Sequence, residues 1–332
     1  MVIRVIVISI CAAYSILMLI GCTPRYTRNP LVGRIKGGTI RRVPFNSQGV
    51  DYGPSVSADG KRLYYVSNRS GSMNNATGVE SHDMWHVDVL NDSATLFSTP
   101  FNSDTAHLYG NQSLNTKMNE GVGAYCASTN EFIVTGCNRE GGKGDCDLYR
   151  FLLQPDGTWS IAEGLKTVNT GYWESQPTVS PDGLLLVFWS NRPAPTVQMT
   201  TDNEQHLWYS VRSSASDEWG EPAYLGEANK NTKSCGPFLT PDGKSLIFSA
   251  EMSGGLGGLD YWIMDRDSTG KWQTPQNMGA PLNSAYHDMF LTMPLSGNVI
   301  YFTSTPRENL VSAGGLDIFQ LVLPPAATVG KP

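Results

Sequence analysis

The chain has 332 residues, with 24 Lys and Arg against 30 Asp and Glu, for a formal charge of −6. Its folded part carries no concentrated run of cations, which argues against nucleic acid, because phosphate binding needs clustered Lys and Arg. With 34 Gly and 20 Pro spread through ordinary apolar content, the composition is that of short strands joined by many turns.

Arg4 followed by the apolar run over residues 5–20 has the length of a signal-peptide core and is short for a membrane span. The run ends in Leu19-Ile20-Gly21-Cys22, which resembles the bacterial lipoprotein signal. That resemblance implies removal of residues 1–21 and lipidation of Cys22, since several lipid chains hold a protein to a membrane without a spanning helix. No acidic residue closely follows Cys22, so the expected location is the outer membrane with the body facing the periplasm; the cell surface is the alternative. Residues 22–38, rich in Pro and Gly, read as the lipidated N-terminus and a flexible tether. Residues 39–323 read as one folded domain and 324–332 as a disordered tail.

One pattern then recurs along the chain. Its plainest copies are Gly53-Pro54-Ser55-Val56-Ser57-Ala58-Asp59-Gly60, Gln176-Pro177-Thr178-Val179-Ser180-Pro181-Asp182-Gly183 and Gly236-Pro237-Phe238-Leu239-Thr240-Pro241-Asp242-Gly243. A repeat of this length is one small sheet that cannot bury both faces alone, so copies must pack on each other. Asn followed by Ser or Thr marks a corner before each copy: Asn46-Ser47, Asn102-Ser103, Asn169-Thr170, Asn231-Thr232 and Asn283-Ser284. After the corner comes an inner strand of small and aliphatic residues, then Asp-Gly as a two-residue hairpin turn. A nearly continuous apolar strand follows, such as Leu185-Leu186-Val187-Phe188, which implies cover on both faces. The third strand opens with a polar residue and an aromatic, as in Asp83-Met84-Trp85 and Asp260-Tyr261-Trp262. The fourth is weak and follows Trp159, Trp219 or Trp272 in three copies.

Two copies lack Asp-Gly: Ser128-Thr129-Asn130 and Leu295-Ser296-Gly297 stand in its place. The last copy stops without a fourth strand, while a spare strand, Thr39-Ile40-Arg41-Arg42-Val43, precedes the first corner. That strand can complete the last sheet and close a ring, leaving only short protected edges. The fold expected is therefore all-β, a five-bladed β-propeller closed by an N-terminal strand. A sixth blade within residues 95–120 is the alternative, but that span is too short for four strands of ordinary length.

These residues resemble the WD-type propeller repeat of the TolB-like family, of the kind found in OmpA-associated bacterial envelope lipoproteins. The likeness is carried by Ser-Pro-Asp-Gly, by Ser-Asn-Arg after the second strand, by Gly254-Gly255-Leu256-Gly257-Gly258-Leu259-Asp260-Tyr261-Trp262, and by the blade running from Asn119 to Tyr149. It covers nearly all of the folded chain and implies a propeller. It is specific for fold and weak for function, and the expected domain layout leaves no room for an OmpA-like module.

Cys137 and Cys146 flank a Gly-rich loop, where two strands of one hairpin bring them within bridging distance in an oxidising compartment. A zinc site is the alternative, but it needs two more ligands and none is nearby. Cys126 and Cys235 read as buried small residues. Asp83, Asp147, Asp260 and Asp317 recur once per blade, which favours turn capping over metal ligation or catalysis. Arg69, Arg139, Arg192 and Arg307 follow the second strands; they read as a rim that binds anions or partners, or as pairs with a neighbouring blade's carboxylates and carbonyls.

The loops between second and third strands are long and unlike one another, and variable loops on a rigid scaffold are where recognition usually sits. The function expected is thus a non-catalytic interaction scaffold that binds an envelope protein through the long-loop face, with no metal or cofactor. A propeller that binds a glycan or small ligand is the alternative. A glycoside hydrolase, with Glu120, Glu174 and Asp288 pointing at the axis, is the enzymatic form of that alternative.

Overall fold

The computed structural model of the chain describes residues 29–73, 78, 80–103, 114–155, 159–195, 205–230, 232–305, 307 and 315–325. The signal segment, Cys22, most of the loop over residues 193–205 and the tail from residue 326 lie outside the described residues.

The chain is a five-bladed β-propeller. After a short helix α1 (Pro30–Ile35) and strand β1 (Thr39–Arg42), the first blade is β2 (Asp51–Val56), β3 (Arg62–Ser67), β4 (Asp83–Asp88) and β5 (Phe101–Asn102). The second is β6 (Glu120–Cys126), β7 (Glu131–Cys137), β8 (Cys146–Leu152) and β9 (Glu163–Gly164). The third is β10 (Glu174–Val179), β11 (Leu185–Ser190), β12 (His206–Val211) and β13 (Ala223–Tyr224). The fourth is β14 (Ser234–Leu239), β15 (Ser245–Ala250), β16 (Asp260–Asp265) and β17 (Gln276–Asn277). The fifth has β18 (Asp288–Thr292), β19 (Val299–Ser304) and β20 (Asp317–Val322), and β1 completes it in the sheet order β1-β20-β19-β18. The spare strand therefore fills the vacancy, with Ile40 opposite Leu321 and Arg42 opposite Phe319. Between residues 95 and 120 the described residues carry no strand other than the two residues of β5.

The hydrophobic core is divided among the blade interfaces. Five buried clusters each join two adjacent blades; for example, Tyr64, Val66 and Met84 of the first meet Phe132, Val134 and Phe151 of the second. The second strands feed both of their interfaces, which is why they are apolar at nearly every position.

Three expectations change at this level. Part of the stretch read as a flexible tether is α1: Asn29 caps it by accepting from Leu31 N (2.9 Å), and Val32 and Ile35 are fully buried against the fourth and fifth blades. The Asp-Gly pairs do not form two-residue turns. Gly60 N donates to Ser57 O and Ser57 N to Arg62 O, both at 2.8 Å, so Asp-Gly ends a four-residue turn. Asp59 stabilises that turn by accepting from Ser57 Oγ and Lys61 N, and Gly60 takes the left-handed conformation the turn requires (φ +73°). Asp182 and Asp242 repeat the arrangement.

Two of the five corner asparagines are also reassigned, Asn115 taking the place expected for Asn102 and Asn229 that expected for Asn231. In every blade one Asn grips the backbone N–H and C=O of a single third-strand residue: Asn46 with Ile318, Asn115 with Met84, Asn169 with Leu148, Asn229 with Leu207 and Asn283 with Tyr261. Asn102 is instead in the fourth strand β5, where it donates to Asp83. Asn231 lies outside the described residues.

Candidate functional site

The inner strands β2, β6, β10, β14 and β18 surround the axis, and each has an irregular register near its third residue. These are β-bulges, which bend a strand and re-aim a side chain. Gly53, Gln176, Gly236 and Phe290 sit there with φ between +53° and +62°. Gln176 and Phe290 pay the steric cost of that conformation, and neighbouring bulges hold them. Gln176 Oε1 accepts from Gly236 N (2.7 Å), and the Phe290 ring lies 5.8 Å from Tyr52.

Beyond the bulges the axis opens into a cavity of about 320 Å³. Val122, Gln176 and Phe290 line one end, and the hairpin-turn residues Ala58, Ala127, Pro181, Pro241 and Leu295 line the other. Its wall is mainly apolar, with hydroxyls from Ser55, Thr178 and Thr292. Thr178 Oγ1 and Thr292 Oγ1 already accept from Leu239 N and Val56 N of the next blades. No carboxylate, imidazole, ammonium or guanidinium lines the cavity among the described residues.

A groove between the first and second blades adjoins this cavity and shares Ala58, Tyr125 and Ala127 with it. Its other walls include Tyr64, Trp159, Asp59, Lys61, Arg62 and Asp88. Arg62 Nε donates to Asp88 at 2.7 Å, and this contact holds the Asp88 carboxyl below its ordinary range. The Ser57 hydroxyl does the same for Asp59. Burial raises the Tyr64 and Tyr125 phenols, so both stay neutral.

The arginines form no rim. Arg69, Arg139, Arg192 and Arg307 keep only 8 to 11% of their side-chain surface exposed, and each pairs with the acid opening the inner strand of its own blade. Those acids are Asp51, Glu120, Glu174 and Asp288; three pairs lie at 2.6, 2.9 and 2.5 Å for Arg69, Arg192 and Arg307, and Arg139–Glu120 at 3.1 Å. Each guanidinium also donates to a corner carbonyl and lies over two aromatic rings, as Arg192 does with Val168 O, Phe188 and Trp208. The neighbour-blade pairing expected of them is made by Arg212, which bonds Glu131 of the second blade through both terminal nitrogens.

Glu120, Glu174 and Asp288 consequently do not face the axial cavity. Their oxygens accept from the corner residues Thr116, Thr170 and Ser284 as well as from arginine. Burial pushes the Glu120 carboxyl up to about 8 against the opposing pull of Arg139.

Of the third-strand acids, Asp83, Asp147 and Asp260 accept backbone N–H groups of the loops before them, from Met73, Lys143 and Leu256 respectively. Asp317 instead bonds Arg42 of β1 (3.3 Å). Burial raises Asp147 and Asp260. Cys137 and Cys146 are joined by a disulfide across β7 and β8, while Cys126 and Cys235 are buried free thiols. No cluster of three His, Cys, Asp or Glu side chains suited to a metal occurs among the described residues.

Sequence reading missed the bulges, the axial cavity and the groove. A signal was present, because Gly53-Pro54, Gln176-Pro177 and Gly236-Pro237 pair a residue at the bulge with a proline that cannot donate to a ladder.

No family model and no curated protein sequence matches this chain. Among solved structures it is similar to a thermostable family-43 glycoside hydrolase, with TM-score 0.52, 12% identity and coverage of 85% of this chain and 91% of that one. It is also similar to a family 117 glycoside hydrolase from Zobellia galactanivorans, with TM-score 0.53, 11% identity and coverage of 89% and 93%. TolB from Acinetobacter baumannii aligns with TM-score 0.45 and 14% identity over 84% of this chain, which spans only 55% of that protein. The TolB-like resemblance thus carries no further than the propeller fold. The expectations of a non-catalytic scaffold and of no enzyme are corrected: solved structures that align with 85 to 89% of this chain include glycoside hydrolases, and among the described residues a concave cavity lies on the hairpin-turn side, opposite the long loops. At these identities the similarity establishes that the chain shares their five-bladed propeller fold.

Proposed function

We propose that this propeller engages a glycan, seating one sugar unit in the axial cavity from the hairpin-turn face. The observation that carries the reading is the cavity itself. Its volume falls in the range of small-ligand sites, and its wall is apolar with a few placed hydroxyls. The ligand class is an analogy of fold, supported by the two hydrolases that share this ring. Asp59 and Asp88 are the carboxylates bordering the adjoining groove, so they are the groups to examine if the bound glycan is turned over. The apolar run before Cys22 supports a lipid-anchored position at the envelope for the same ring.

The test is calorimetric titration with neutral mono- and oligosaccharides, with release of reducing ends read on the same samples. Ala124→Trp fills the cavity from the wall of β6 and should abolish binding while the thermal midpoint stays near that of the parent. Unchanged binding in a folded Ala124→Trp protein refutes the placement.

A further inference from the structure

We propose that the groove between the first and second blades is a second sugar subsite, so that the site takes a neutral oligosaccharide in preference to a monosaccharide. This inference rests on the glycan reading above and deepens it.

The groove has a volume of about 830 Å³ and meets the axial cavity at Ala58, Tyr125 and Ala127. A chain of sugars seated at the axis therefore has one continuous way out along the hairpin-turn face. The groove also differs in chemistry from the cavity. Tyr64, Tyr125 and Trp159 supply three aromatic surfaces, and their positions are fixed by packing. Trp159 lies 5.6 Å from Phe132 and 6.3 Å edge-on from Tyr125, and Tyr64 lies 4.9 Å from Phe132 on its other side. Trp159 and Tyr125 remain partly exposed. The C–H face of a pyranose is a suitable partner for such rings, because their π faces carry negative potential.

Polar groups stand beside the aromatic ones. Asp59 uses Oδ1 for both of its turn bonds, which leaves Oδ2 as an acceptor for a sugar hydroxyl. Asp88 and Arg62 form an exposed pair whose remaining oxygen and nitrogens can bond vicinal hydroxyls. Lys61 adds an exposed donor. Two acids and two bases balance within the groove, so it carries no net charge to draw in a uronate or an amino sugar over a neutral sugar.

The experiment is a titration of the parent protein, Trp159→Ala, Arg62→Ala and Ala124→Trp with xylose through xylohexaose, and with cello- and arabino-oligosaccharides of the same lengths. In the parent, affinity should rise at least tenfold from the monosaccharide to the trimer or tetramer and then level off. Trp159→Ala should remove that rise while leaving monosaccharide affinity unchanged, and Arg62→Ala, an exposed change, should weaken the tetramer several-fold. Length-independent affinity in the parent, or tetramer affinity unaltered in both groove variants, overturns the second subsite while leaving the axial site standing. Absence of binding by every saccharide overturns both.

Discussion

Replacing Arg192 with methionine tests how the blades hold their buried charges. The guanidinium lies 2.9 Å from Glu174, donates to Val168 O at 2.7 Å and to Ser190 Oγ at 3.1 Å, and is stacked between Phe188 and Trp208. Its loss leaves a carboxylate with no exposed surface and no counter-ion, and a corner carbonyl with no donor. Breaking a buried pair from one side costs about 3–5 kcal/mol. The fourth blade shows how the same place is built without charge. There Ser234 replaces the acid, Met252 stands where the arginine would be, and Ser234 Oγ donates directly to Ala228 O (2.6 Å), the counterpart of Val168 O. Glu174→Ser combined with Arg192→Met copies that solution into the third blade. The double variant should therefore cost less than Arg192→Met alone, with a coupling of about 2 kcal/mol or more. Equilibrium unfolding in urea on the parent, both single variants and the double closes the cycle. Single variants that each cost under about 1 kcal/mol, or a double equal to their sum, would refute the view that each pair is kept or lost as a unit.

Arg41→Pro removes a ladder donor from β1 opposite Gln320 and should cost about 3 kcal/mol, read as a lower thermal midpoint; an unmoved midpoint contradicts closure by this strand. Gly257→Ala places a methyl against the Ser284 carbonyl of the next blade and should cost about 1–3 kcal/mol, whereas Gly171→Ala, with open space around it, should be nearly neutral. His86 is held down at about 4 by burial, beside Phe101 and Tyr64, with Nδ1 3.1 Å from Ser103 Oγ. Unfolded histidine titrates near about 6.5, so between these values the unfolded chain takes up a proton that the folded chain refuses. The His86 contribution should fall as pH drops from about 6.5 to about 4 and then level off. His86→Gln should flatten that part of the urea midpoint against pH, and an identical slope in both proteins would exclude the residue.

The ring was legible in the sequence because three of its constraints are local. Apolar second strands, Asp-Gly turns and a count of strands at the two ends each follow from nearest neighbours along the chain. Closure followed from the missing strand in the last unit, which only β1 could supply. What sequence reading misplaced depends on contacts across a blade. Asn102 and Asn115 both belong to a polar cluster at one corner, and only the bond to Met84 distinguishes the true corner residue. The arginines have the motif of a surface rim, yet the acid at the start of each inner strand draws them inside. The axial cavity was hidden for a further reason. Its wall is made of small and aliphatic side chains, prolines, hydroxyls and a few larger apolar groups such as Phe290, residue types that carry no motif, and it exists only because the bulges of five separated strands meet at one axis.

The central claim is that a sugar occupies the axis on the hairpin-turn side. A crystal structure of the protein soaked in a neutral tetrasaccharide tests it most directly. The account predicts density for one unit between Thr178 and Thr292 and for the next beside Trp159. Density confined to the long-loop side, at the exposed Tyr172 and Trp173 beside the Asn169-Thr170 corner, would contradict it.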